Sequence, residues 1–102
     1  MSKAYIVTYD LCGKSKNYDS LISTIESYNL NFKLTESSWI IITECEFALL
    51  AKNLSASLDT DDRIFISELK TDTIFAHKNL LSDASVLNKE ILNCNSIIQT
   101  LF

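Results

Sequence analysis

The hydrophobic pattern of this chain switches between two periods, and the order of the switches leaves few folds open. AYIVTYD (residues 4–10) alternates, with Ile6, Thr8 and Asp10 on one face and Tyr5, Val7 and Tyr9 on the other. That is the period of a strand, and its β-branched and aromatic residues suit a pleated surface. From Asn17 the period lengthens: Tyr18, Leu21, Ile22, Ile25 and Tyr28 fall on one helical stripe, which Ser15 or Asn17 is placed to cap. Alternation returns in NFKLTES (31–37), where Phe32 and Leu34 oppose Lys33 and Thr35. SSWIIITE (37–44) is apolar on both faces, as a central strand is. A tight turn at Glu36 and Ser37 joins these two strands. A second helical stripe follows in Phe47, Leu50, Ala51, Leu54 and Leu58, with Glu44 and Glu46 near its start, where the helix dipole favours acids. DTDD (59–62) ends that helix, and RIFISEL (63–69) alternates again.

The order βαββαβ predicts an α+β domain of the ferredoxin-like kind, a four-stranded antiparallel sheet with two helices on one face. Residues 1–69 make up this unit, and residues 70–102 form a C-terminal extension. In the extension TDTIFAH (71–77) predicts a short fifth strand. Leu87, Ile91, Cys94 and Ile98 then predict a helix over 83–102, capped by Asp83 or Ser85. Two helices on one face leave the other face of the sheet with apolar groups that need cover. The extension, a second copy of the chain, or both together would supply it.

At 102 residues, 47% apolar and 22% charged, the chain is one globular domain. No apolar run approaches the roughly 20 residues of a membrane span. Residues 1–10 carry no signal-peptide pattern, so a cytoplasmic protein without a membrane partner is expected. A net charge of -4 with nine scattered Lys and Arg argues against binding to nucleic acid through backbone electrostatics alone. The densest basic pair is Lys14 with Lys16; a bound metal or a local patch stays open as a route to nucleic acid. Cys12, Cys45 and Cys94 are odd in number and widely spaced, which reads as ordinary thiols in a reducing compartment.

A strand ending in TYD, a loop and helix, then SSWIIIT, a helix and DDRIFISEL resemble the small CRISPR-associated Cas-two family. The likeness is closer to its SinR-like relatives, whose first strand ends in Tyr-Asp and whose third begins Ser-(Ser/Thr)-Trp; the toxin VapD shares that fold. It spans residues 4–69 and implies a ferredoxin-like homodimer. In the nuclease members the acid ending the first strand meets its counterpart across the dimer axis and binds a divalent metal, which makes Asp10 the implied catalytic and metal-binding residue for cleavage of RNA or DNA. Tyr9, Ser37 and Ser38 would support it, and Trp39 would sit in the core or the dimer contact. Two carboxylates at a two-fold axis repel unless a proton or cation lies between them. Mg²⁺ or Mn²⁺ suits such an oxygen site and can activate a bound water. The alternative is that Asp10 accepts backbone hydrogen bonds from the loop 10–16. The chain would then be a non-catalytic dimerisation or protein-interaction module of a bacterial or phage defence or toxin–antitoxin system.

Other chemistry-bearing residues read as structural. CGKSK lacks the first glycine of a phosphate loop, Thr8 standing in its place, and Gly13 serves the turn. His77 has no ligand at metal spacing and reads as a surface or partly buried histidine. Cys12 lies near Lys14 but has no nearby histidine to make it a nucleophile. The acids of 59–62 lack the glycine and terminal glutamate of a calcium loop and read as a solvated turn. Tyr5, Tyr9, Phe32 and Phe65 have no interleaved cations, which favours core or dimer packing over base stacking.

Overall fold

The computed structural model describes residues 2–11, 18–70, 74–94 and 99–100. Cys12, Gly13, Lys14, Ser15, Lys16, Asn17 and Ile98 lie outside them, and with them the expected caps of the first helix and the glycine turn.

The six expected elements are present in the expected order: β1 (Lys3–Asp10), α1 (Asp19–Glu26), β2 (Leu30–Thr35), β3 (Ser38–Thr43), α2 (Phe47–Ser55) and β4 (Arg63–Leu69). The four strands form one antiparallel sheet in the order β2-β3-β1-β4. This architecture is compatible with the ferredoxin-like arrangement. The helices are shorter than their stripes. Tyr28 and Leu58 lie beyond the helix ends, half-buried, and help to close the core from the loops. Asn31 Nδ2 donates to the Tyr28 carbonyl at 2.9 Å and holds the passage from α1 into β2.

Alternation divides the sheet into two packed faces. On the helix side, Tyr5, Val7, Trp39 and Ile41 pack with Leu21 and Ile25 of α1 and Leu50 and Leu54 of α2. β3 serves both faces, since Trp39, Ile40, Ile41 and Ile42 are all buried. One stripe residue departs from expectation: Phe47 is 44% exposed. It opens α2, where the chain has only just left the sheet, and its ring reaches the core only by tilting against Tyr5, 5.9 Å away between centroids.

The second face is covered from within the chain. Leu87 and Ile91 of α3 (Ala84–Cys94) are buried against Ala4, Ile40 and Ile42, with Leu30, Phe32, Leu34, Leu69 and Leu80 around them. Burying two such side chains contributes about 1.5–3 kcal/mol each. The helix is started by Asp83, whose Oδ1 accepts from the Ser85 N–H at 2.9 Å and the Ser85 hydroxyl at 2.7 Å. These bonds favour the ionised carboxylate and hold its pKa below the ordinary value. Just before it, the Leu81 N–H donates to the Leu34 carbonyl at 3.1 Å and the Ser82 hydroxyl to the Lys33 carbonyl at 2.7 Å, stitching the segment to the edge strand β2.

The helix expected over 83–102 ends at Cys94. Two-residue strands β5 (Ile74–Phe75) and β6 (Gln99–Thr100) pair in parallel, so residues 99–100 lie beside residues that precede α3. Pairing with β5 gives Gln99 and Thr100 a strand ladder in place of the helix expected there. No described helix is long and apolar enough to cross a membrane.

Candidate functional site

Asp10 is the last residue of β1, and the antiparallel register sets it opposite Arg63, the first residue of β4. The Arg63 guanidinium donates from Nη1 to Asp10 Oδ2 at 2.8 Å. Both side chains are largely in solvent, 74% exposed for Arg63 and 66% for Asp10. The pair is therefore a surface ion pair of the kind that contributes about 0.2–1 kcal/mol. Two register steps further in, Thr8 faces Phe65 on β4 and Ser38 on β3. Phe65 is 64% exposed, on the same face as Asp10 and at the end that α3 does not cover. Thr8, Asp10, Arg63 and Phe65, with the strand residues Tyr9 and Ile64, line a shallow depression of about 200 Å³.

The expected supporting residues divide between two places. Strands β1 and β3 are neighbours, as expected, and the Tyr9 N–H donates to the Ser37 carbonyl at 3.0 Å. Tyr9 and Trp39, however, belong to the helix face. Trp39 Nε1 donates to the Tyr9 hydroxyl at 3.2 Å, and that hydroxyl reaches the Glu36 carbonyl at 3.5 Å. Trp39 is thus a core residue whose one polar atom is satisfied by Tyr9, with Lys33 Nζ 5.8 Å from its ring centroid. Ser38 shares the face of Thr8, but its hydroxyl is engaged with Thr35 Oγ1 at 2.6 Å. The structure gathers Asp10, Arg63, Thr8 and Phe65; Tyr9 borders the depression as a strand residue, but it packs, like Trp39, with the helix-side core.

Arg63 is the residue that sequence reasoning missed. The signal was present: once β1 and β4 are neighbours, the acid ending one strand and the base beginning the other must meet. A divalent cation on Asp10 would compete with this guanidinium for Oδ2.

The turn 59–62 stands just before Arg63. Side-chain oxygens of Asp59, Asp61 and Asp62 lie within 4.8 Å of one another. Asp62 is already used by the protein: Oδ2 accepts from the Asp59 N–H at 2.9 Å and Oδ1 from the Tyr18 hydroxyl at 3.2 Å. These bonds close the turn and tie it to the start of α1. The four aromatics considered for stacking are split as well, Tyr5 and Tyr9 facing the helices, Phe32 and Phe65 the opposite side. Cys45 is a half-buried free thiol, and His77 is half-buried in the segment that leads into α3.

No protein-family model, curated protein or solved structure matches the chain.

Proposed function

We propose that this chain is a cytoplasmic, ferredoxin-like interaction module of the Cas-two and SinR-like kind, which pairs with a second copy of itself through the open end of its sheet. The observation that carries this reading is Phe65, 64% exposed beside the Asp10–Arg63 ion pair on the face that α3 leaves uncovered there. A large exposed aromatic flanked by an acid and a base suits a two-fold interface, where one patch must be complementary to itself. Across such an axis Asp10 of one copy can meet the arginine of the other, while the two rings bury each other. The strand order β2-β3-β1-β4 with α1 and α2 on one face supports the fold assignment. The same resemblance supplies the setting, a bacterial or phage defence or toxin–antitoxin system with a protein or nucleic-acid partner.

Light scattering at micromolar concentration tests it. Wild-type protein is expected at twice the chain mass, and Phe65→Asp at the monomer mass with an unchanged far-ultraviolet circular dichroism spectrum. A wild-type monomer under these conditions overturns the reading.

A second reading is favoured by the accessibility of the Asp10 carboxylate. If the patch brings two copies of Asp10 to the axis, Mg²⁺ or Mn²⁺ between them would make the dimer a metal-dependent nuclease on RNA or DNA. The guanidinium of Arg63 would then move off Oδ2 when the metal binds. This reading expects cleavage by the wild-type protein that needs the metal and is lost in a folded, dimeric Asp10→Ala variant. Absence of cleavage across metals and substrates leaves the interaction module.

A further inference from the structure

The cover that the C-terminal segment places over the sheet leaves a gap. Between them lies a cavity of about 320 Å³, within the size range of small-molecule sites. Ile6, Ile40 and Leu69 form its sheet side, and Leu80 and Leu87 its covering side. Leu34 and Ala76 also line it, and two polar side chains, His77 and Lys78, complete the described lining. The Nε2 of His77 is shut off from solvent, whereas Lys78 is exposed. The His77 imidazole is the one ring, and no acid is present, among the described lining residues.

That composition selects a class of ligand. A base or an aromatic acid would find no Phe, Tyr or Trp ring to stack on among the described lining residues, and a cation would meet Lys78. A flexible aliphatic tail matches the branched side chains of both walls, and an anionic head matches the lysine. We propose that this cavity binds a medium-chain carboxylate, with its tail between the sheet and α3 and its carboxylate at Lys78. The site is separate from the Asp10–Arg63 patch and stands whether or not the chain pairs with a second copy.

Calorimetric titration of the full chain with decanoate, and with decanol as the uncharged counterpart, tests the proposal. One decanoate is expected per chain. Lys78→Glu, an exposed position, is expected to weaken decanoate roughly threefold to tenfold and to leave decanol unchanged, as removal and reversal of a part-solvated charge does. Leu34, which also lines the cavity, provides the filling variant: Leu34→Trp is expected to abolish binding of both. Should that variant fail to fold, Ala76→Trp fills the cavity from an exposed lining position. No saturable heat with decanoate, several molecules bound per chain, or an affinity that neither Lys78→Glu nor the folded filling variant alters would each overturn the proposal.

Discussion

Tyr9 and Asp83 show what single polar groups do here. The Tyr9 hydroxyl is the acceptor for the indole N–H of Trp39, a side chain buried at the sheet centre. Removing an acceptor from a buried donor costs the desolvation of that donor, about 1–3 kcal/mol. Tyr9→Phe is therefore expected to lower stability by that amount in urea unfolding, with no change in fold; a variant as stable as wild type would show that water replaces the hydroxyl. Asp83 acts through its charge. Its folded pKa is depressed by the Ser85 bonds, so its contribution is present above the ordinary value near 4 and is lost as pH falls through the lower folded value. Following the Ser85 amide by NMR during acid titration should give a midpoint below about 4. A midpoint at or above the ordinary value would mean that the cap is not formed in solution.

Among the elements, α3 is the one that covers the second face of the sheet. Its hold is two buried side chains, one charged cap and two bonds to the edge of β2. Leu87→Ala is expected to cost about 2–5 kcal/mol, and hydrogen exchange should show α3 losing protection before α1 and α2 do. Equal loss across all three helices would contradict that order. The periods of residues 4–69 placed every strand and both helices of the sheet unit, because alternation and the helical stripe are local properties. The Asp83 cap was legible for the same reason. The end of α3 was not, since it depends on pairing between β5 and β6, which lie far apart in sequence. The candidate site was legible only as Asp10. Its partner Arg63 is 53 residues away, and only register brings the two together. Tyr9 was given a supporting role by the resemblance alone, although alternation already set it on the face opposite Asp10.

On the scale of the whole molecule, the sheet carries a core on each side, one built with α1 and α2 and the other with α3. β3 is the wall shared by both. Ile41 belongs to the first core and Ile40 to the second, although one peptide bond separates them. Ile→Val at either position is expected to cost about 0.5–1.5 kcal/mol, with different addresses. Ile41→Val should raise exchange in α1 and α2, and Ile40→Val in α3; identical exchange maps would show that the two layers unfold as one. Neighbouring codons along this strand thus tune separate halves of the molecule. Drift in the sequence of β3 can loosen the C-terminal cover, and any traffic of ligand beneath it, while the two-helix layer keeps its own stability.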